Sequence, residues 1–188
     1  DYTVTIMVDW NKLSKNKQAV ISFNPIEIYE RCDRSSVAGS LRETQEHVLS
    51  DWYNNHFDDR DVIVKMHTGE GKTLVGLLML QSRMNKTNAP CVYVCPNRYL
   101  VGQVCDDAKK FGINVCRIDV DRELPDEFLS GKKILVTHVQ KMFNGLSKFG
   151  IVGGKYEPID TVLLDDSHTC IESIRSASTV VLEKNGPV

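Results

Sequence analysis

Short apolar runs recur along the chain and alternate with longer segments that have helical spacing. Runs that predict buried strands lie near residues 61–66, 91–95, 115–118, 133–137 and 160–164, with a further one near 178–182. Helices are predicted near residues 72–85, 98–111, 138–144 and 169–175. This alternation predicts an α/β domain in which helices cover both faces of a mostly parallel sheet.

The first part of the chain has a different pattern. Residues 2–8 and 19–23 are rich in β-forming residues and a polar stretch separates them, which predicts an antiparallel hairpin with a long loop. We therefore expect a small β-rich N-terminal extension over residues 1–36 and one domain over residues 37–188.

Two helices are predicted close to that boundary. Asn24-Pro25 ends the second β-rich run, and residues 26–32 are predicted to form a short helix. The next helix is expected to run to about residue 54. Ser40 and Glu43 have the spacing of a capping box at its start.

A glycine-rich turn joins the first strand of the alternating pattern to a leucine-rich helix. It reads Met-His-Thr-Gly-Glu-Gly-Lys-Thr over residues 66–73. Successive backbone N–H groups in such a turn point at one anion, and the helix dipole favours negative charge there. Lys72 is expected to reach the β- and γ-phosphates of ATP, and the Thr73 hydroxyl is expected to ligate Mg²⁺. The nucleotide-binding candidates in this turn are Thr68, Gly69, Glu70, Gly71, Lys72 and Thr73.

An acidic pair follows the predicted strand at residues 160–164. Ligands of parallel sheets bind at the carboxyl ends of the strands, where Asp165 and Asp166 stand. Asp165 is the candidate that holds Mg²⁺, and Asp166 is the candidate that orients or deprotonates an attacking water. A solvated acidic turn is the alternative interpretation.

Composition and charge argue against a membrane protein, a secreted protein and a generally basic nucleic-acid-binding protein. The chain has 188 residues, of which 41% are hydrophobic and 26% charged, and these values are ordinary for a globular protein. The net charge of −2 shows no general basic field for nucleic acid. No apolar run approaches the roughly 18 residues of a membrane span, and no signal peptide is visible, so a cytoplasmic location is expected. The six cysteines form no C-x-x-C pair and are expected to be buried thiols.

The two specific motifs, T-G-E-G-K-T and D-D-S-H, together resemble motif I and the acidic box of superfamily-two helicases and translocases. With the weaker motifs, the resemblance covers about residues 38–175 and implies the first RecA-like ATP-binding domain of a DEAD/DEAH-box helicase-type ATPase. Asp166 stands where these families usually carry Glu, and misplacement of a catalytic group by about 1 Å can cost on the order of 100-fold in rate. The resemblance implies that His168 couples the nucleotide site to a second motor domain, although a surface His is the alternative.

Three weaker motifs follow the same family order. L-R-x-x-Q ends at Gln45 and resembles the Q motif, which implies an adenine contact by that amide. Residues 95–103 resemble motif Ia, which implies that Arg98 and Gln103 lie along a nucleic-acid strand. Thr137 and Gln140 stand where motif Ib contacts phosphate. Ordinary helix starts after core strands remain the alternative for the last two motifs.

The resemblance also implies partners. These are nucleic acid, either DNA or RNA, and a second RecA-like domain that supplies an arginine finger. Because the chain contains no such domain, we expect weak nucleotide binding and little hydrolysis from it alone, as for a piece of a longer protein. Two alternatives stay open. The phosphate loop also resembles that of the preprotein-translocase motor, which moves polypeptide, although that motor's box does not end in His. A nucleotide-gated binding module with blunted catalysis is the other.

Overall fold

The structure is a computed structural model that describes residues 21–118, 123–143, 149 and 156–177. The helices are α1 (Pro25–Arg31), α2 (Glu43–Asp51), α3 (Lys72–Thr87), α4 (Arg98–Phe111), α5 (Asp126–Leu129), α6 (Val139–Met142) and α7 (Ser167–Ala177). A π-helical turn over Trp52–His56 continues α2. The strands are β1 (Cys91–Cys95), β2 (Val115–Arg117), β3 (Ile134–His138) and β4 (Thr161–Leu164).

These four strands form one parallel sheet in the order β2-β3-β1-β4. At its centre, Tyr93 of β1 pairs with Val136 of β3 on one side and with Leu163 of β4 on the other. The order of the strands in the sheet differs from their order along the chain, and segments that contain helices connect the successive parallel strands. The prediction of an α/β fold with a parallel sheet is confirmed.

Strand β1 is buried on both faces, which explains why its sequence is apolar throughout. Cys91, Tyr93 and Cys95 face a core that contains residues of α1 to α4. Val92 and Val94 face a second core that contains residues of α5, α6 and α7. Helices therefore cover both faces of the sheet, as predicted.

The larger of the two cores depends on leucines of α2 and α3. Leu49, Leu77 and Leu78 are each 0% exposed. Full burial of one such side chain stabilises the fold by about 1.5–3 kcal/mol. Burial of these leucines fixes α3 against the sheet, and α3 begins at the glycine-rich turn.

Helix α1 belongs to the same core, although the prediction assigned it to the N-terminal extension. The Asn24 side chain accepts a hydrogen bond from the Ile26 N–H at 3.0 Å, and Pro25 occupies the first helical position. Ile28 and Tyr29 are buried against this core. The predicted hairpin lies mostly outside the described residues, as does the predicted strand at residues 178–182. The proposed domain boundary therefore stays a prediction.

The strand predicted at residues 61–66 is not a strand in the structure. Val62 and Val64 are each 39% exposed and Ile63 is 83% exposed. No described segment pairs with this run. An apolar run becomes a buried strand only where another strand satisfies its backbone N–H and C=O groups. Among the described residues β4 is an edge strand of the sheet, and residues 61–66 do not pair with it.

The predicted capping box at Ser40 and Glu43 is also wrong. Helix α2 begins at Glu43, so Arg42 is its N-cap and Gln45 is the third helical residue. The Arg42 N–H donates to the Gln45 side-chain oxygen at 3.0 Å. A side chain at the third helical position therefore does accept from the N-cap N–H, but two residues later than predicted. That side chain is Gln45, for which an adenine contact was predicted.

Candidate nucleotide-binding site

The glycine-rich turn leads directly into α3. Gly69 has φ 87° and Gly71 has φ 78°, both in the left-handed region that glycine adopts without strain. Gly71 is the N-cap, and α3 begins at Lys72. The first N–H groups of a helix have no partner within the helix, so this turn offers donors and a positive dipole end to an anion.

The turn is closed by its own acidic residue. The Glu70 carboxylate accepts a hydrogen bond from the His67 N–H at 2.7 Å, and the Glu70 N–H donates to the His67 carbonyl at 3.4 Å. Thr68 is exposed between them. The side chain of Glu70 thus stabilises the loop from within, while Lys72 is exposed at the helix start.

Two side chains of the L-R-x-x-Q segment hold the turn from outside. The Arg42 guanidinium donates to the Gly69 carbonyl at 2.7 Å. The Gln45 amide nitrogen donates to the Glu70 carbonyl at 2.9 Å and to the Gly71 carbonyl at 3.4 Å. A methyl group added at Gly71 would collide with that nitrogen. Gln45 is 4% exposed, and these hydrogen bonds bind its amide to the phosphate loop. The predicted adenine contact stays a prediction.

Asp165 lies one residue beyond the end of β4. Its N–H donates to the Val94 carbonyl at 2.9 Å, which extends the pairing with β1. Burial raises the pKa of the Asp165 carboxyl, a hydrogen-bonding interaction with Tyr93 lowers it, the nearby Asp166 charge raises it, and the Lys72 charge lowers it. A methyl group added at Gly76 of α3 would lie 2.9 Å from the Leu163 side chain of β4, so the first turns of α3 pack beside the end of that strand.

Tyr93 of β1 is 1% exposed and lies beneath α3, where its ring packs next to Gly76. Burial raises the pKa of Tyr93, and the nearby Asp165 charge raises it further. Tyr93 belongs to none of the predicted motifs, because a tyrosine in an apolar strand is usually a core residue. The only signal was that it stands two residues before the end of that strand.

Asp166 is oriented differently from its neighbour. Its backbone has φ 47°, and its carboxylate accepts hydrogen bonds from the Thr169 hydroxyl at 2.8 Å and the Thr169 N–H at 3.4 Å. Both contacts cap the start of α7. The predicted catalytic base is therefore engaged as a helix cap, and its catalytic role stays a prediction.

His168 lies on the exposed surface of α7. Its side chain is 85% exposed, and its Nε2 lies 3.2 Å from a Glu172 carboxylate oxygen. An exposed pair of this kind contributes little to stability. The position leaves the side chain accessible, and the predicted coupling to a second domain stays a prediction.

The residues predicted to contact nucleic acid do not form one cluster. Arg98 and Gln103 are both exposed on α4, yet five helical residues place them about 140° apart around the axis. Gln140 is exposed on α6. Thr137 is only 3% exposed, and its hydroxyl has no hydrogen-bond partner among the described residues. A phosphate reaches Thr137 only if the surrounding side chains move.

Two basic side chains, Arg98 and Lys141, act on His138 at the ends of β1 and β3. Burial lowers the pKa of His138, and the charges of Lys141 and Arg98 lower it further. Cys95 and His138, the last residues of β1 and β3, are paired in the sheet, and Arg98 comes three residues after Cys95. No motif pointed to His138, because the resemblance to motif Ib selects Thr137 and Gln140.

The donors at the site suit a magnesium ion that arrives with a nucleotide. Thr73 and Asp165 offer a hydroxyl and a carboxylate, and Mg²⁺ is commonly bound by one or two protein carboxylates together with substrate phosphates. Within the described parts of the chain, no group of three or more His, Cys, Asp or Glu side chains is placed to hold a metal. The donor set therefore fits magnesium only as part of a complex with phosphate.

The fold and this site define a nucleotide-binding α/β domain whose phosphate loop begins a helix beside the central strands. The DEAD/DEAH box helicase family model matches residues 42–184, and the chain belongs to this family. It is a helicase-type ATP-binding domain. This family match confirms the resemblance inferred from the two specific motifs.

A curated relative supports the same assignment. The chain is 29% identical over 136 residues to a protein from Xenopus tropicalis named "Probable ATP-dependent DNA helicase HFM1". The match covers 67% of this chain and 10% of that relative, so the chain spans about a tenth of its length. No solved structure matches the chain. None of the helices described here is long and apolar enough to cross a membrane.

Proposed function

We propose that the chain is the ATP-binding motor domain of a helicase or nucleic-acid translocase, acting with a second RecA-like domain. The observation that carries the proposal is the packing of α3, which begins at Lys72, beside the end of β4, which Asp165 follows. The two residues are far apart in sequence and belong to the family's two most specific motifs. Their proximity supports a single site for the phosphates and the metal of one nucleotide.

In this proposal the loop binds the phosphates. Lys72 neutralises the β- and γ-phosphates, and the N–H groups at the start of α3 donate to them. Thr73 and Asp165 hold Mg²⁺. When bound, Mg²⁺ neutralises the charge that develops on the transferred phosphoryl group.

A nucleotide-gated binding module with weak hydrolysis is the second candidate. The observation that favours it is the engagement of the Asp166 carboxylate by Thr169 at the start of α7. Asp166→Asn distinguishes the two, because asparagine also tolerates a positive φ and also caps helices. If Asp166 acts as the base in the full-length protein, Asp166→Asn should abolish turnover while leaving ATP binding unchanged. If Asp166 only caps α7, both should be unchanged.

Nucleic acid is the partner that the family suggests. The cations Arg98 and Lys141 beside His138 support a phosphate contact at the ends of β1 and β3. The relative is named a probable ATP-dependent DNA helicase, so DNA is the first candidate to test. Stimulation of the full-length ATPase by DNA, by RNA, by unfolded polypeptide or by none of these separates a DNA motor, an RNA motor, a polypeptide motor and a gated module.

Nucleotide binding tests the core of the proposal. We expect this chain to bind a fluorescent ATP analogue in the presence of Mg²⁺, and Lys72→Ala to weaken binding. A hydrogen bond to a charged group contributes about 1.5–3 kcal/mol, which corresponds to about a 10–150-fold rise in Kd. Lys109→Ala removes an exposed lysine of α4 and is the matched control. Equal affinity in the folded Lys72→Ala and Lys109→Ala variants would contradict the site assignment.

A further inference from the structure

Three successive carbonyl groups of the glycine-rich turn accept hydrogen bonds from side chains at the start of α2. The Arg42 guanidinium donates to the Gly69 carbonyl at 2.7 Å. The Gln45 amide nitrogen donates to the Glu70 carbonyl at 2.9 Å and to the Gly71 carbonyl at 3.4 Å. These carbonyls therefore all face the first turn of α2.

The planar peptide bond then determines where the following N–H groups point. The carbonyl and the N–H of one trans peptide group point in opposite directions. Because the Glu70 and Gly71 carbonyls face α2, the N–H groups of Gly71 and Lys72 face away from it. No described residue accepts a hydrogen bond from these two N–H groups. Successive N–H groups in a turn of this kind form a concave site for an anion.

The backbone of the turn does not fix this arrangement by itself. Gly69 and Gly71 both have positive φ, and glycine moves between conformations at little steric cost. The constraint comes from α2, whose N-cap is Arg42. The Arg42 N–H donates to the Gln45 side-chain oxygen at 3.0 Å, so the two side chains that hold the turn are also bound to each other.

We infer that Arg42 is a positioning residue that orients the phosphate loop for a polyphosphate chain, whatever base that chain carries. The inference rests on the proposed function, which assigns this loop to the phosphates of a nucleotide. Arg42 acts on the ligand through the Gly69 carbonyl, which it holds on the side of the loop opposite to the anion. Inorganic pyrophosphate is therefore a ligand of the same site, although it has no base.

The experiment measures displacement of a fluorescent ADP from this chain, in the presence of Mg²⁺, by unlabelled ADP and by inorganic pyrophosphate. Arg42→Met keeps a long unbranched side chain and removes the donor. Loss of one hydrogen bond corresponds to about a 2–12-fold rise in Kd, and we expect the same factor for both ligands. Arg42→Lys keeps a donor and should bind both ligands more tightly than Arg42→Met. Arg60→Met is the matched control, because the Arg60 side chain is 95% exposed and should leave both affinities unchanged.

An NMR spectrum of the free chain separates orientation of the loop from simple attraction between Arg42 and phosphate. The Gly69 carbonyl and the Glu70 N–H belong to one peptide group. In Arg42→Met we therefore expect the amide signals of Glu70 and Gly71 to shift before any ligand is added. Arg60→Met should leave both signals in place.

Each of the following outcomes overturns the inference. Wild-type affinity in Arg42→Met, or equal binding by Arg42→Lys and Arg42→Met, does so and leaves the proposed function standing. A loss confined to ADP shows that Arg42 acts on the base or the sugar. Weaker binding with unchanged Glu70 and Gly71 signals shows that Arg42 acts by its charge alone. The same loss in Arg60→Met, or failure of Arg42→Met to fold in a thermal denaturation curve, also removes the specific role. Absence of ADP binding in the wild-type chain overturns the proposed function together with the inference.

Discussion

Gln45 gives the sharpest test of how the phosphate loop is held. Its side-chain oxygen accepts from the Arg42 N–H, and its nitrogen donates to the Glu70 carbonyl at 2.9 Å. Gln45→Glu keeps the size and the acceptor but removes the donor. It places a second oxygen against the carbonyl of Glu70, in a position that is 4% exposed in the wild-type chain.

The loss of the donor sets the expected change in the free energy of unfolding of Gln45→Glu. A lost hydrogen bond is worth about 0.5–1.5 kcal/mol, and a buried polar group without a partner costs about 1–3 kcal/mol. We therefore expect the free energy of unfolding to fall by about 1–3 kcal/mol at pH 7. A domain of this size loses about 2–4 °C in Tm for each kcal/mol, so Tm should fall by about 2–12 °C.

Thermal and urea denaturation measure this loss. Gln103→Glu makes the same change at an exposed position of α4 and should stay within about 0.5 kcal/mol of the wild type. The deficit of Gln45→Glu should shrink as the pH falls toward 5, because burial raises the folded-state pKa of the introduced carboxyl and its protonated form can donate to Glu70. A deficit equal to that of Gln103→Glu, or one that grows toward acid pH, would refute this account of the loop.

The same position decides between two roles of the amide. If Gln45 mainly holds the loop, Gln45→Ala should weaken ATP and GTP binding by the same factor. If it reads adenine, as the Q-motif resemblance predicts, the loss should be confined to ATP. Competition of unlabelled ATP and GTP against one fluorescent analogue measures both factors in one experiment.

Two further predictions concern packing and pH. Gly76→Ala should lower the free energy of unfolding by up to about 2 kcal/mol, since overpacking costs about 1–3 kcal/mol and helix propensity returns about 1 kcal/mol. Gly102→Ala, where an added methyl meets nothing within 4 Å, should instead raise it by about 0.5–1 kcal/mol. Urea denaturation that gives both changes the same sign would contradict the packing account. A hydrogen bond with Asp59 at 2.7 Å raises the pKa of His56. The stabilisation of the fold by this pair is therefore complete below the unfolded-state His pKa of about 6.5 and is lost as the pH rises through the folded-state pKa. An NMR titration should give a His56 midpoint that Asp59→Asn lowers, and an unchanged midpoint would refute the pairing.

The order of strands and helices could be predicted because it follows from the local spacing of apolar residues. Strands β1 and β3 are short apolar runs buried on both faces, and each is followed by a helix. The run at residues 62–64 has the same composition and yet forms no strand. Strand formation depends on a partner elsewhere in the chain, and local composition contains no information about that partner.

The site was predictable as far as motifs fix residue types at fixed spacing. The sequence identified the turn, Lys72 and Asp165, and the structure brings them together. It did not reveal that Gln45 contacts the loop or that Tyr93 packs against Gly76 of α3, because these contacts depend on side-chain directions across distant segments. The capping contact of Asp166 did have a local signal, since an Asp directly before a helix is a favoured N-cap.

The measurement that tests the central claim most directly is an NMR spectrum of this chain with Mn²⁺-ATP in place of Mg²⁺-ATP. The paramagnetic ion broadens the amide signals nearest to it. If Thr73 and Asp165 share one metal, both of their signals should disappear together at substoichiometric Mn²⁺-ATP, and both should persist in the Lys72→Ala variant. Broadening at one of the two positions without the other would contradict the claim that the glycine-rich turn and the acidic strand end form a single nucleotide site.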